Sequence, residues 1–233
     1  EGVYDANPGV NTMGGVKTGT GKLSIFGADN LDMNIGNTTK DFNISVDELK
    51  SIQATDVLIG DEQTGDIFVD GVDSSNFSGV TGNVDIVASM NGKKVAFINT
   101  ASDFTSLSVE ADRGIEVGVD LSTNVGDLTL QANSDGPDDG KDYVEVSDGV
   151  TLFAKKDLSL DGTSIEALGT ANFEADEDVI FKDNLNSIGA VSIKADKDET
   201  GVENGSFILE EQNINTNGSN LSIRANDVTL NGD

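Results

Sequence analysis

Apolar and polar residues alternate in short bursts along this chain, and one burst recurs: apolar, small polar, apolar, variable, then Ala or Gly. Clear copies are Leu107-Ser108-Val109-Glu110-Ala111, Leu128-Thr129-Leu130-Gln131-Ala132, Leu158-Ser159-Leu160-Asp161-Gly162, Val191-Ser192-Ile193-Lys194-Ala195 and Leu221-Ser222-Ile223-Arg224-Ala225. Looser copies begin at Leu23, Ile44, Ile67, Val84 and Ala171. A period of two is that of a half-buried strand, and no stretch of ten or more residues carries the period of an amphipathic helix. From Leu23 to Leu221 the ten copies span 198 residues, a mean spacing of 22 over nine intervals.

Strand alternation on a period near 20 residues has few physical solutions. The pattern predicts an all-β parallel β-helix, a solenoid of about ten coils whose short strands pair with the coils before and after at ~4.8 Å, giving a rod of roughly 48 Å. Leu, Ile, Val and Phe stack inside, with Leu128, Leu130, Ile193, Leu221 and Ile223 expected in one column. The small Ala or Gly lets the chain turn a corner, and Asn, Asp and Gly occupy the turns. A larger unit is superposed: residues 107–170 align with 171–233, Glu110-Ala111-Asp112 matching Glu174-Ala175-Asp176 and Leu158-Ser159-Leu160 matching Leu221-Ser222-Ile223. Residues 1–18 read as a Gly-rich leading segment and 19–233 as a single solenoid. The competing architecture is a pair of β-sandwich domains, which rarely repeat one strand motif at every turn.

Composition narrows the chemistry. Hydrophobic residues make up 36 %, and ten Phe with two Tyr are the only aromatics, so the core is thin. Forty-two acidic against 14 basic residues give a net charge of −28, which excludes a nucleic-acid partner and disfavours anionic membranes. With no Cys and no His, disulfides, ordinary zinc sites, Cys-His and Ser-His-Asp triads and imidazole acid–base chemistry are all removed. No apolar run reaches the ~18 to 20 residues of a membrane span, so no membrane insertion is expected, and residues 1–22 lack the features of a signal peptide.

Segments such as Gly126-Asp127-Leu128-Thr129-Leu130-Gln131-Ala132 and Gly218 to Leu230 look like the "glycine, polar, LTL, x, A" coils, followed by "DI-x-L", of one family. The chain resembles the large repetitive bacterial exoproteins similar to filamentous haemagglutinin and other two-partner-secretion adhesins, well over residues 84–233 and loosely over 19–83. The resemblance implies a right-handed β-helix in an extracellular or surface-attached fibre working in adhesion, aggregation or a surface layer. Partners on this reading are neighbouring repeats or identical subunits end to end, and host, neighbouring-cell or matrix carbohydrate. The secretion-signal domain of such proteins is not visible here.

Two 30-residue intervals read as coils with an extruded acidic loop. Asn133, Asp135, Asp138, Asp139 and Asp142 cluster in the first; Asp196, Asp198, Glu199 and Glu203 are expected at the corresponding place in the next unit. Crowded hard oxygen ligands suit Ca²⁺, which takes six to eight of them. Pro137 breaks the EF-hand pattern, and a solvated acidic loop is the competing reading. No other cofactor is expected. Gly14 to Leu23 misses the phosphate-loop spacing, because Val16 and Leu23 replace the first Gly and the Ser/Thr. Six Asn-x-Ser/Thr sites, at Asn37, Asn43, Asn76, Asn204, Asn217 and Asn220, are read mainly as turn composition. No catalytic residues are expected. The alternative function is a carbohydrate-active β-helix, a polysaccharide lyase or glycoside hydrolase, which needs paired carboxylates and an aromatic sugar platform. The C-terminal Val228 to Asp233 reads as an ordinary half-coil without a cap, and residues 1–18 as a poor cover for the first coil, which leads to the expectation of a slice of a longer chain or a stacking subunit.

Overall fold

A computed structural model describes residues 15–28, 30–134, 140–199, 205–210 and 212–231. Each repeat puts its apolar residues on one side of a strand, and one such strand buries nothing alone; parallel pairing with the equivalent strand one coil on closes the interior. The result is a parallel β-helix with three strand ladders. The first sheet has nine strands: Leu23–Ile25, Val57–Ile59, Val84–Ala88, Leu107–Ala111, Leu128–Gln131, Leu158–Asp161, Val179–Phe181, Ser206–Glu210 and Asp227–Asn231. The second runs from Phe42–Ile44 and Met33–Gly36 through Ile67–Asp70, Val95–Phe97, Ile115–Val117, Val144–Val146, Ile165–Ala167 and Leu185–Ser187 to Ile214–Asn215. The third holds six: Ser102–Phe104, Leu121–Thr123, Thr151–Ala154, Ala171–Ala175, Val191–Lys194 and Leu221–Arg224. Every named strand pair is parallel and in one register, Leu107 beside Leu128, Leu128 beside Leu158 and Leu158 beside Val179.

The ten motif copies therefore do not mark ten equivalent positions. Leu107, Leu128 and Leu158 start strands of the first sheet, Ile67 one of the second, and Ala171, Val191 and Leu221 strands of the third. Among the described residues the first sheet counts nine coils. The likeness of 107–170 to 171–233 relates one face to another, Leu107 of the first sheet to Ala171 of the third. All three faces obey the same inside–outside rule, so alternation alone could not tell them apart. For the same reason the single expected column is divided: Leu128 and Leu130 stack on Leu158 and Leu160 in the first sheet, while Leu221 stacks on Val191 and Ile223 on Ile193 in the third.

Inside, Leu128, Leu130, Leu158, Leu160 and Val179 are fully buried, and Ala88, Ala111 and Ala132 fill the inner corner after the first sheet. The corner has no room for more: a Cβ on Gly162 would lie 3.2 Å from that of Ala132 and 2.9 Å from the Asp142 carbonyl oxygen. Phe173, Phe181 and Phe207 form an edge-to-face stack with ring centroids 5.0 and 5.4 Å apart. Such contacts add ~0.5–1.5 kcal/mol beyond area burial.

The first coil departs from the repeat. Ile44-Ser45-Val46 is not a strand copy: Phe42–Ile44 is the strand, and Ser45 caps the four-residue helix Val46–Leu49. The Ser45 N–H donates to Glu48 Oε2 at 2.8 Å, and the Glu48 N–H to Ser45 Oγ at 3.3 Å. This reciprocal Ser-x-x-Glu pairing overrides local strand alternation. Phe42–Ile44 lies on the outer edge of Met33–Gly36, and Met33, Ile35 and Leu49 are fully buried, so residues 37–50 supply a cover over this part of the first coil. Val16–Lys17 pairs with Ile52–Gln53, which joins the end of the leading segment to the solenoid.

Candidate functional site

Asp and Asn residues one position before an inward apolar residue stand at the corners of the coils. There the side-chain oxygen accepts a hydrogen bond from the backbone N–H of the equivalent residue one coil on. Asn83 donates to Asp56 Oδ1 at 2.9 Å, Asp178 to Asp157 Oδ1 at 3.0 Å and Ser206 to Asp178 Oδ1 at 2.7 Å. The corner before the second sheet repeats the device, Asp66 donating to Asp32 Oδ1 at 3.0 Å and Lys94 to Asp66 Oδ1 at 3.2 Å. Before the third sheet, Thr151 donates to Asp120 Oδ1 at 2.8 Å. Much of the acidity is thus structural: corner backbone N–H groups need acceptors, and a short side chain supplies them. The signal was present as Asp immediately before Leu, Val, Ile or Met, at Asp32, Asp56, Asp66, Asp127, Asp157 and Asp178.

Stacking carboxylates has an electrostatic consequence. Burial, with a smaller contribution from the charges of Asp178 and Asp127, pushes the Asp157 carboxyl up from its ordinary value. Burial does the same to Asp183, reinforced by Asp161. Asp70 is the opposite case: burial pushes it up, but hydrogen bonds from Thr38, Asn99 and Thr100 outweigh burial and hold it below the usual range. Its Oδ2 accepts from Thr38 Oγ1 at 2.6 Å and from Asn99 Nδ2 at 3.1 Å. Glu174, also pushed up by burial, is brought below its ordinary value by Lys197 and Lys194, whose ammonium groups lie 2.5 and 2.9 Å away.

The two acidic loops leave different corners. The first, after Leu128–Gln131, joins the first sheet to the second in the fifth coil; the second, after Val191–Lys194, joins the third sheet to the first in the eighth. They therefore do not occupy corresponding places, and between two and three coil spacings, ~12 Å along the axis, also separate them. In the first loop Asn133 is half-buried and Asp142 is fully buried at the base, its carbonyl accepting from the Thr163 N–H at 2.7 Å. In the second, Asp196 takes φ 57° and its N–H donates to the Glu177 carbonyl at 3.2 Å. Asp198 and Glu199 are exposed, and Glu199 pairs with Arg224 at 2.7 Å. Asp135, Asp138, Asp139 and Glu203 lie outside the described residues. Among the described residues no three acidic groups come close enough to hold a metal ion.

One concave feature escaped the sequence reading. A shallow groove of about 380 Å³ lies where the third sheet begins, lined by Asp73, Ser102, Asp103, Asp120 and Ser122 among others, none of them basic. Asp73 caps the turn Ser74–Phe77, accepting from the Ser75 N–H at 2.8 Å, and this bonding lowers its pKa. Asp103 Oδ1 accepts from the Ser74 N–H at 3.1 Å. With its pKa lowered by the Ser75 donors, Asp73 is a poor general acid, and no aromatic side chain is among the residues lining the groove. The cap was legible as Asp73-Ser74-Ser75-Asn76; the groove was not, because it is formed by residues from three coils.

Of the six Asn-x-Ser/Thr sites, Asn76 is buried, and Asn37, Asn43 and Asn217 donate their side-chain amides to carbonyls of Asp70, Lys40 and Ser187. This fits their reading as turn residues.

Comparisons with protein-family models, with curated proteins and with solved structures find no match for this chain.

Proposed function

We propose that this chain is a non-enzymatic structural and adhesive segment of a bacterial extracellular or cell-surface fibre. The observation that supports this reading best is the unbroken first sheet, nine strands in one register with coil corners fastened by Asp side chains. A rod built this way keeps its length and presents long, flat, polar faces, such as the outward row Ser108, Thr129 and Ser159, to a surface. Its partners on this reading are neighbouring repeats or identical subunits end to end, and carbohydrate of a host, neighbouring cell or matrix. The acidic loops, Asn133 to Asp142 and Asp196 to Glu203, are proposed to take Ca²⁺ when it is abundant. Beads coated with the purified chain are expected to retain matrix polysaccharide or cells that uncoated beads do not. Equal retention by coated and bare beads would sink the adhesive role.

The carbohydrate-active alternative is favoured by one feature, the groove holding Asp73, Asp103 and Asp120. Incubation with a panel of acidic and neutral polysaccharides separates the two. Release of reducing ends or unsaturated products, abolished by Asp103→Asn, would replace the structural reading with the enzymatic one.

A further inference from the structure

The three faces of the rod differ in how charge is arranged along them. On the second, Glu116, Glu145 and Glu166 stand opposite one another on successive strands, so two copies meeting there would set carboxylate against carboxylate. The first carries an uncharged run, Ser108, Thr129 and Ser159. The third is polarised. Its outward residues Asp103, Ser122, Phe153, Glu174 and Lys194 form one row across five strands, each beside the next in register. At one end Asp103 shares the groove with Asp73 and Asp120, with no basic residue among those lining it. At the other, Lys194 and Lys197 both pair with Glu174, at 2.9 and 2.5 Å, so two ammonium groups share one carboxylate. Phe153 is half-buried at the centre.

We propose that the third face binds a second copy of the chain side by side, the two rods antiparallel about a two-fold axis that runs along the strand Thr151–Ala154. Asp103 and Lys194 stand on opposite sides of Phe153, each two coil spacings, ~10 Å, away. The rotation therefore sets Phe153 on its counterpart, Ser122 opposite Glu174 of the second copy, and Asp103 opposite its Lys194, the last contact being made twice. Asp120 and Asn172, one coil to either side of Thr151, meet in the same way, a carboxylate against an amide donor. Lys194 enters the acidic groove while Glu174 keeps Lys197, which also lies 4.1 Å over the Phe153 ring. A two-fold axis along the rod would set Asp103 on Asp103 and Lys194 on Lys194, so charge selects antiparallel rods. The contact is isologous and packs sheet on sheet at ~10 Å. The proposed function joins rods end to end; this contact is lateral and independent of it, so failure of adhesion would leave it intact.

The test starts from the unmodified chain in about 0.15 M salt, where a Debye length of ~8 Å screens the long-range repulsion between two copies of net charge −28. Sedimentation is expected to show a concentration-dependent dimer, and zero-length carbodiimide coupling to join Asp103 to Lys194. Within one chain these residues stand four coil spacings, ~19 Å, apart, beyond the reach of their side chains, so this cross-link reports contact between copies. Asp103→Lys and Lys194→Asp, which shift the net charge in opposite directions, are each expected to weaken the dimer about tenfold by setting like charges together. An equimolar mixture of the two variants is expected to restore it to within about threefold, because every contact between positions 103 and 194 is then again between opposite charges. Glu145→Lys, on the second face, is expected to leave association unchanged. Where a variant's circular dichroism spectrum differs from that of the unmodified chain, the cross-link decides. A chain that stays monomeric at about 1 mM, the weak end of specific association, would overturn the proposal. So would a dimer whose cross-links omit Asp103 to Lys194, or folded single variants that mixing does not rescue.

Discussion

At the scale of single residues, the corner aspartates carry two opposed electrostatic roles. Asp157 fastens the next coil through one oxygen while facing Asp127 and Asp178 in the same column. Its folded-state pKa is raised, so its contribution to stability is fully present below the unfolded value of ~3.9 and is lost as pH rises through the folded one. Asp157→Asn keeps the accepting oxygen and removes the charge. It is expected to stabilise the chain by about 0.5 kcal/mol at pH 7, an advantage that disappears in melting curves taken below pH 4. Asp70 is expected to behave in the reverse sense. Its folded pKa is depressed, so its contribution is present above the unfolded value and is lost as pH falls through the folded one. Asp70→Ala strands the Thr38 hydroxyl and the Asn99 amide, and a loss of about 2 kcal/mol is expected in urea titrations at pH 7. An unchanged midpoint would show that water replaces the carboxylate without penalty.

At the scale of elements, strand identity is set by stacking partners. Phe181 lies between Phe173 and Phe207, and its removal leaves a cavity that neighbouring coils, held by their own ladders, cannot close. Phe181→Ala is expected to cost about 3–5 kcal/mol. Because coils contact only their neighbours, hydrogen exchange should speed most around residues 158–209 and least near Val57–Ile59. Uniform acceleration would indicate that the rod unfolds as one unit. The covering segment obeys different rules: Ser45 and Glu48 close a helix where alternation predicts a strand, because two backbone donors satisfied locally outweigh a strand with a neighbour on one edge only.

At the scale of the whole molecule, 28 net negative charges repel along a thin rod. Added salt is expected to raise the melting temperature by screening. If the acidic loops bind Ca²⁺ selectively, millimolar Ca²⁺ should raise it well beyond equal Mg²⁺, and Asp135→Ala with Asp139→Ala should abolish the difference; equal effects of the two ions would leave screening alone. The loops sit on different corners of the rod, so two independent binding phases are expected in calorimetry rather than one cooperative phase.

Period-two alternation at a mean spacing of 22 residues, with Ala or Gly closing each strand, determined from the sequence alone that this chain is a stack of parallel coils with a thin aliphatic core. Alternation is a local property of side chains and survives wherever a strand has one buried face. Which face each copy occupies was decided only in three dimensions, because Leu107 and Ala171 satisfy the same inside–outside rule on different sheets and only strand pairing separates them. The acidic loops were visible as departures from the spacing, but their placement on different corners followed from the ladders on either side. The Asp73–Asp103–Asp120 groove was decided by tertiary structure for the same physical reason. It depends on contacts between residues a coil or more apart, and a linear pattern records the period of those contacts but not the sheet in which they are made.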